Sequence, residues 1–387
     1  MADLKSQIKV VATENLSATQ SQGRVLAQDV VAFRDSPAID VSAMDGYAIR
    51  IDDLDGNVFP ICGTATAGSS PIDLADRSAV RVFTGGPVPA QSQCVVRRED
   101  CSESESYVSI DLSKESLSPG MNIRRRGENA RAGDTLVPSG SVLSPCKFAG
   151  AITFSEAADF QVYRKVRIGI INTGDELIEI GQPLKPWQIR DSNGPFLEAM
   201  LAGHRWVLCH RLKVKDHPDA TLEAVVQCLE QCDAILLTGG VSMGDTDYVP
   251  DAIRHAGCRV VFHRIPIRPG RPMLGAVGPQ GQLVLGLPGN PVSVAVTFRR
   301  YGLELLKHMA GVSQAEAPPV LPLDGGDSKS LDLIWFRLVK QTAQGQLALV
   351  ATQGSGDVAS LAESDGFVEV SPNARSVGSW PFYAWQS

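Results

Sequence analysis

Short apolar runs alternate with helical patterns through the middle of the chain. Three of these runs have the length and composition of buried strands, and each precedes a loop that contains glycine; they lie at residues 166–171, 234–237 and 283–285. A further strand is predicted at 206–214, and helices are predicted at about 219–229 and 292–308. This repeated strand and helix order predicts a central three-layer α/β domain with a parallel-type sheet.

Strand patterns without helices between them occur on both sides of this region. Residues 47–123 alternate short apolar segments with clusters of Gly, Pro and Ser, and strands are also predicted at 334–338, 346–350 and 367–370. Near the start of the chain, a helix is predicted over residues 17–28 and a strand over 30–33. We therefore predict a multidomain α/β protein with a linking domain (1–32 and 125–165), an inserted β domain (33–124), the α/β domain (166–315) and a C-terminal β-barrel-like domain (316–387).

The loops that follow the predicted strands contain the candidate binding groups. Ligands collect at the carboxyl ends of parallel strands, and glycines there let backbone N–H groups face a phosphate or another oxyanion. Asn290 and Pro291 have the order of an N-cap and a first-turn proline, so a helix N-terminus adds partial positive charge. The residues predicted to bind the ligand in these loops are Thr173, Gly174, Asp175, Gly239, Gly240, Ser242, Gly244, Pro288, Gly289, Asn290 and Pro291.

Acidic residues occur in the same loops. Carboxylates beside an anion site indicate a divalent cation between them, and oxygen ligands favour Mg²⁺. The predicted magnesium ligands are Glu176, Asp245 and Asp247, with Asp175 beside them. Asp216 lies between the strand at 206–214 and the following helix, where it is either a helix cap or a further acid of the site.

Composition and charge limit the classes of partner. Of the 387 residues, 43% are hydrophobic and 20% charged, which is typical of a globular protein. A formal net charge of −7 argues against nucleic acid as a partner. The first residues contain no apolar signal segment, and no apolar stretch of about 18 residues occurs later. We therefore expect a cytoplasmic protein without membrane association.

The cysteines and histidines show no metal-binding spacing. The eight cysteines are scattered, which favours free thiols in a reducing compartment. Cys228 and Cys232 are four residues apart on a predicted helix, but no histidine or second cysteine pair follows at zinc spacing. The six histidines are also unpaired in spacing. Zinc binding and histidine catalysis are therefore disfavoured.

These loops, together with several other segments, resemble a known family. The additional segments are Ser42-Ala43-Met44-Asp45-Gly46-Tyr47-Ala48, Thr84-Gly85-Gly86-Pro87-Val88-Pro89, Arg124-Arg125-Arg126-Gly127-Glu128, Asp191-Ser192-Asn193 and Gln353-Gly354-Ser355-Gly356. With the glycine loops, they are similar in sequence and order to the molybdopterin molybdenumtransferase family, which includes bacterial MoeA and the gephyrin E domain. The similarity extends from about residue 20 to the C-terminus.

The resemblance implies a function in molybdenum cofactor biosynthesis. The substrates it implies are molybdopterin, in its adenylylated form, and molybdate; with Mg²⁺ the enzyme would insert molybdenum and release AMP. It implies catalytic roles for Asp45, Thr84, Glu176, Asp216 and Asp247, with Asp45 and Thr84 completing the site across a homodimer interface. It also implies contacts with molybdopterin adenylyltransferase and with chaperones of molybdoenzymes.

Several positions depart from the family pattern. Gln93 and Asn129 replace acids, Val41 replaces an asparagine, and Arg268 and Arg271 replace two lysines. Arg268 and Arg271 either bind the molybdate dianion or pair with surface acids. The run Arg124–Arg126 is either a solvated face or a return of the chain toward the active cleft.

Two other functions therefore stay open, namely a molybdopterin adenylyltransferase and a non-catalytic molybdopterin-binding or scaffold paralogue. The two β domains favour transfer over adenylylation, and the loops of Glu176 and Asp247 favour catalysis over scaffolding.

Overall fold

The computed structural model describes residues 1–113, 116–241 and 247–385. The chain folds into two compact units. The first comprises Met1–Gln28, Ser139–Phe148 and Ala157–Ser387, and the second comprises Asp29–Pro138 and Ala149–Glu156. The finer division into four domains stays a prediction.

The first unit contains the α/β domain, whose centre is a six-stranded sheet. In spatial order its strands are Val207–Val214, Val166–Thr173, Ala234–Thr238, Leu283–Leu287, Leu274–Val277 and Arg259–His263. The first four are parallel, and Leu274–Val277 is antiparallel to both of its neighbours. The four strands predicted in the middle of the chain are therefore confirmed, each within two residues at its ends.

Helices cover both faces of this sheet, which confirms the three-layer prediction. Ile168 and Ile170 pack with Leu197 and Leu201 on one face, whereas Ile171 packs on the other. Both faces are apolar because strands between two helical layers are buried on each side. The helices are Asn193–Ala202, Pro218–Gln231, Val249–His255, Pro291–Thr297 and Leu303–Met309, the last two joined through a π-helical turn at Phe298–Gly302.

The predicted helix at residues 17–28 is wrong. The chain forms a strand at Thr13–Ser17, which pairs antiparallel with Asp159–Tyr163, and then a single 3₁₀ turn at Ala18–Gln20. Gly23 follows with a φ of +75°, which ends any helical course. Pairing with a strand about 140 residues away overrode the local pattern.

The C-terminal part of the first unit is a closed five-stranded barrel, as predicted. Its strands are Val320–Asp327, Ile334–Gln341, Leu347–Leu349, Gly366–Val370 and Ser376–Ala384, and a short helix lies at Val358–Glu363. The barrel closes because Ile334–Gln341 pairs with both Leu347–Leu349 and Gly366–Val370. The strand Ile267–Arg268 of the α/β domain adds to Ile334–Gln341, which attaches the barrel.

The second unit is built on another six-stranded sheet. Its strands in spatial order are Cys94–Arg97, Gly46–Ile49, Ala79–Val82, Val58–Ala65, Tyr107–Ile110 and Cys101–Glu103. Short strand pairs join Val41–Ser42 to Ile123–Arg124 and Val30–Val31 to Thr135–Val137.

The remaining short elements of the described chain are helices Ala2–Lys5 and Pro145–Phe154, 3₁₀ turns Ile51–Asp53 and Arg98–Asp100, and the parallel pair Leu177–Ile178 and Ile189–Arg190.

Within the described residues, no helix combines the length and the apolar character that a bilayer crossing needs.

Candidate functional site

The ends of four parallel strands lie side by side at one edge of the central sheet. Thr173 is in register with Val214, Asn172 with Thr238, and Thr238 with Leu287. The loops that follow these strands begin with Gly174, Gly239 and Pro288. The structure therefore brings together the loops around Gly174, Gly239 and Gly289, together with Asp216, at the edge where ligands bind in parallel sheets.

The backbone at this edge is too tightly spaced for larger residues. Gly239 has a φ of +90°, and a Cβ atom there would lie 2.7 Å from the carbonyl oxygen of Thr173. A Cβ atom on Gly289 would lie 3.5 Å from the Cα of Gly239. These two glycine loops are thus in contact, and glycine loops of this kind can turn backbone N–H groups toward an oxyanion.

Buried amides join the loops and leave two acceptors without partners. Asn172 Nδ2 donates to Thr238 Oγ1 at 2.6 Å, and Asn193 Nδ2 donates to the carbonyl oxygen of Gly289 at 2.7 Å. Among the described residues, Asn172 Oδ1 and Asn193 Oδ1 are buried without a hydrogen-bond partner. Both side chains are buried, so the two amides act on the site through the loops that their Nδ2 groups hold, at Thr238 and at Gly289.

The loop of the C-terminal barrel reaches the same helix. Asn290 is at the N-cap position, as predicted, but its side chain does not cap the helix; Nδ2 donates instead to Ser355 Oγ at 2.9 Å. The N–H of Val292 donates to the carbonyl oxygen of Ser355 at 3.0 Å. The segment Gln353–Gly356 is therefore attached to the first turn after Pro291, beside the strand ends.

The acids of two neighbouring loops also meet. The N–H of Asp216 lies 3.4 Å from Asp175 Oδ1. Burial raises the pKa of Asp216, and the negative charges of Glu176 and Asp175 raise it further. The N-cap position of the following helix is His217, and the Asp216 side chain does not cap this helix. The cap interpretation is therefore wrong. The geometry supports the alternative, in which Asp216 is an acid beside the site.

The raised pKa of Asp216 predicts that this carboxylate destabilises the free protein at neutral pH. A raised pKa means that the folded chain holds the proton more tightly than the unfolded chain, so the penalty is present at neutral pH and disappears below the pKa of unfolded Asp, about 3.9. We expect Asp216→Asn to raise Tm by about 1–2 °C at pH 7 and not at all near pH 4. Thermal unfolding at both pH values measures this.

Asp219→Asn is the matched control, because Asp219 is exposed in the first turn of the same helix, where a carboxylate is favourable. This control should not raise Tm. An equal gain in both variants would attribute the effect to overall charge and not to the acids around Asp216.

The acids could hold a divalent cation, although the described part does not contain a complete ligand set. Mutual repulsion of Asp175, Glu176 and Asp216 is the arrangement that a bound cation relieves. Among the described residues, these carboxylates do not form a group of three ligand atoms within 4.8 Å. Asp247 is half-buried. Two residues later, the N–H of Val249 donates to the carbonyl oxygen of Gly240 at 3.2 Å. Three predicted site residues, Ser242, Gly244 and Asp245, lie outside the described residues.

Arg268 and Arg271 are exposed and make no ion pair with another described residue, so the described part of the chain gives no support to the alternative that they pair with surface acids. Their loop packs on the helix that follows Asn290, because a Cβ atom on Gly270 would lie 2.3 Å from Thr297 Cγ2. Thr297 lies about two turns from the helix start. In the described part, no hydrogen bond joins either guanidinium group to the strand-end loops.

Asp45 and Thr84 contact each other in the second unit. Asp45 Oδ1 accepts from the N–H of Thr84 at 2.8 Å and from Thr84 Oγ1 at 2.9 Å. These bonds, the backbone N–H first, lower the pKa of Asp45, and Arg98 and Arg81 lower it further. Asp45 is thus held ionised beside a hydroxyl group on a separate sheet.

The departures at Gln93 and Asn129 have local structural reasons. Gln93 Oε1 accepts from the N–H groups of Ile51 and Asp52, while Nε2 donates to Asp52 Oδ2 at 2.7 Å. An acid at position 93 could not donate to Asp52. Asn129 Oδ1 accepts from Arg124, as an acid also could, but Nδ2 donates to Ser36 Oγ at 3.5 Å, which an ionised acid could not do. Each arginine of the run has an acidic partner, namely Glu128, Asp40 and Asp35 in sequence order, which favours a structural role for the run.

Sequence reasoning did not select Asn172, Asn193, Thr238 or Arg211 as site residues. The signal for Asn172 and Thr238 was a polar side chain at the end of a buried apolar strand, whereas Asn193 is the first residue of a helix and carried no such signal. Arg211 binds Asp191 through Nη1 at 2.7 Å and also approaches Glu179 and Glu198. Asp191 Oδ1 in turn accepts from the N–H of Gly194 at 3.1 Å, which fixes the start of the helix that carries Asn193.

Comparison with known proteins identifies the family. The MoeA N-terminal region (domain I and II) matches residues 1–154, and a probable molybdopterin binding domain matches residues 169–308. A molybdopterin molybdenumtransferase from Synechococcus elongatus is 36% identical over 367 residues, covering 92% of this chain and 89% of that protein. The chain belongs to the molybdopterin molybdenumtransferase family.

Other members of the molybdopterin molybdenumtransferase family agree with this assignment. One from Haemophilus influenzae is 33% identical, covering 79% of this chain and 75% of that protein. The crystal structure of a molybdopterin biosynthesis moeA protein from Pyrococcus horikoshii matches with a TM-score of 0.82 at 25% identity, over 98% of this chain and 97% of that one. The fold predicted from the sequence resemblance is therefore confirmed over nearly the whole chain.

Proposed function

We propose that this member of the molybdopterin molybdenumtransferase family inserts molybdenum from molybdate into adenylylated molybdopterin, with release of AMP, in the cytoplasm. The observation that carries the proposal is the joined strand edge, where two glycine loops touch and Asp175 and Asp216 of the neighbouring loops meet. The phosphate groups of adenylylated molybdopterin are oxyanions that glycine loops at a helix start can bind, and the acids suit a cation that accompanies them.

In this mechanism the chain mainly binds and orients. The backbone N–H groups of Gly239, Gly240 and Gly289, with the helix start after Asn290, hold the phosphate groups of the nucleotide. The buried amides of Asn172 and Asn193 hold Thr238 and Gly289 in position, and Ser355 holds Asn290 in place. Glu176, Asp245 and Asp247 would hold Mg²⁺, with Asp175 and Asp216 beside them. When bound, Mg²⁺ supplies positive charge that polarises a phosphoryl oxygen.

Arg268 and Arg271 are proposed to bind molybdate. Molybdate is a dianion with four oxygens, and guanidinium groups without ion pairs in the described part are available to bind it. Replacing Arg271 with Ala should raise the KM for molybdate about 10-fold to 100-fold, the loss expected for one charge-assisted contact, with little change in molybdopterin affinity. Steady-state kinetics at varied molybdate concentration measure it.

Arg271→Lys should recover part of the loss, because it keeps the charge without the planar fork. Arg259→Ala is the control, since Arg259 is exposed on the edge strand Arg259–His263 of the central sheet, whereas Arg268 lies on the strand that pairs with the barrel. If Arg268→Ala and Arg271→Ala both keep the wild-type KM for molybdate, the loop is not part of the site.

A direct assay separates the proposed activity from the two alternatives. Purified protein is incubated with adenylylated molybdopterin, molybdate and Mg²⁺, and both AMP release and active cofactor are measured. Molybdenum transfer yields AMP and active cofactor together. An adenylyltransferase would instead consume ATP with free molybdopterin, and a scaffold protein would bind molybdopterin without turnover.

We also propose that the active form is a homodimer in which Asp45 and Thr84 of one copy complete the site of the other. Coexpression of Asp45→Ala with Glu176→Gln, each inactive alone, tests this. Random pairing of the two variants makes about half of the dimers mixed. If each site uses residues of both copies, one of the two sites in a mixed dimer is intact and the other contains both substitutions. About a quarter of wild-type activity should therefore return. No recovery, or a monomer at micromolar concentration by light scattering, contradicts the proposal.

The same proposal includes two protein partners. Molybdopterin adenylyltransferase would supply the adenylylated molybdopterin, and molybdoenzyme chaperones would receive the completed cofactor. Copurification of tagged chains would detect them.

A further inference from the structure

A second group of metal-ligating side chains lies on the face of the sheet covered by the helix Pro218–Gln231. The ligand atoms of His210, Cys228 and Cys232 all lie within 4.8 Å of one another. Cys232 Sγ is 3.9 Å from His210 Nε2. Within the residues that the structure describes, this is the only group of three such ligands at this spacing.

The fold assembles this group from two elements that the sequence separates by 18 residues. His210 is exposed on the edge strand Val207–Val214, opposite Gly169 in register. Cys228 is buried in the last turn of the helix, and Cys232 follows directly, with its N–H bonded to the carbonyl oxygen of Cys228 at 2.8 Å. A side chain at residue 169 would fill the space of the thiols, because a Cβ atom there would lie 2.7 Å from Cys228 Sγ.

We propose that His210, Cys228 and Cys232 bind one thiophilic metal ion, and that this ion is Zn²⁺. Two thiolates and an imidazole are the donor types that select zinc. With Zn–S of about 2.3 Å and Zn–N of about 2.0 Å, tetrahedral geometry separates two sulfurs by about 3.8 Å and a sulfur from a nitrogen by about 3.5 Å. The observed spacing is therefore close to that of an occupied site, and a water molecule takes the fourth position beside the exposed imidazole.

The two elements that carry the ligands give this site a structural consequence. His210 lies within the edge strand Val207–Val214, and Cys228 lies in the last turn of the helix Pro218–Gln231. A metal ion bound to both elements holds the C-terminal end of this helix against the edge strand. The ion stabilises this packing because it binds the folded chain and not the separated elements. This role does not depend on the activity proposed above.

The experiment uses the full chain, stripped with a chelator under reducing conditions and then titrated with Co²⁺ and Zn²⁺ alone. We expect one equivalent of Co²⁺ to produce the visible d–d bands and the thiolate charge-transfer band of a tetrahedral site, and Zn²⁺ to displace it. His210→Ala and Cys232→Ser should lower the affinity at least 10-fold. Zn²⁺ should raise Tm in the wild type and not in these two variants.

The test does not depend on a buried cysteine variant that fails to fold. His210 is exposed, so His210→Ala should fold normally and carry the test alone. Cys209→Ser is the matched thiol control, because Cys209 is adjacent to His210 in the strand but packs on the opposite face of the sheet, with the cluster that contains Leu197 and Leu201. His255→Ala is the matched imidazole control. Equal metal binding in the wild type and His210→Ala overturns the proposal. A Cys228–Cys232 disulfide in freshly isolated protein, or no binding at micromolar Zn²⁺, overturns it equally.

Discussion

Replacing Glu176 with Gln is expected to lower the rate of molybdenum transfer by about 10²-fold to 10³-fold, the size of effect seen when one group that stabilises developing charge is removed. Glutamine keeps the shape but removes the negative charge that would hold the cation. Substrate binding should change only a few-fold, because the glycine loops bind the phosphate groups independently of that charge. Asp247→Asn should behave in the same way.

Two measurements separate these effects. Single-turnover AMP release reports the transfer step, and equilibrium binding of molybdopterin reports affinity. Glu223→Gln is the matched control, because Glu223 is an exposed glutamate on the helix that follows Asp216. Wild-type turnover in both Glu176→Gln and Asp247→Asn would show that the cation site has been placed on the wrong residues.

The local sequence pattern was sufficient for the four parallel strands of the central sheet but did not predict the strands Arg259–His263 and Leu274–Val277. Residues 166–171 and 234–237 were predicted as strands because a short, mostly apolar run of this length is typical of a strand buried between two helical layers. The strands continue to Thr173 and Thr238, beyond the apolar runs. Pairing in register extends them, and this is why polar side chains end up buried at the strand edge. The glycine loops were predicted for the same reason, since they directly follow these strands.

What the sequence pattern could not provide was contact between distant segments. The helix expected at 17–28 is replaced by a strand because its partner, Asp159–Tyr163, lies far along the chain. His210 was set aside as a metal ligand because zinc spacing was sought along the sequence, whereas the edge strand and the helix bring it to Cys232 in space. Likewise, the amide of Gln93 has a use only once Asp52 is seen beside it.

Replacing Arg211 with Met is expected to destabilise the first unit by about 3 kcal/mol, near the lower end of the cost of breaking a buried ion pair from one side. The side chain of Asp191 is 2% exposed and that of Arg211 is 21% exposed. Methionine fills much of the volume but leaves the carboxylate of Asp191 buried without its cation. Glu179 and Glu198 also lose the shared positive charge. Thermal unfolding should show a fall in Tm of about 6–10 °C.

The surface pair of Arg254 and Asp251 provides the control. Its atoms lie 2.8 Å apart, but the side chains are 54% and 73% exposed, so Arg254→Met should lower Tm by about 1 °C at most. Adding Asp191→Asn to Arg211→Met should restore part of the stability, because the unpaired charge is then removed while an amide oxygen can still accept from Gly194.

The same substitution connects stability to binding. Asp191 fixes the start of the helix that carries Asn193, and Asn193 Nδ2 donates to the carbonyl oxygen of Gly289 at 2.7 Å. Arg211→Met should therefore also weaken molybdopterin binding at temperatures where the protein remains folded, although Arg211 itself need not contact the substrate. A variant with lowered Tm but unchanged affinity would show that the Asn193 contact does not depend on the ion pair. A variant with unchanged Tm would show that the buried pair contributes nothing to the fold.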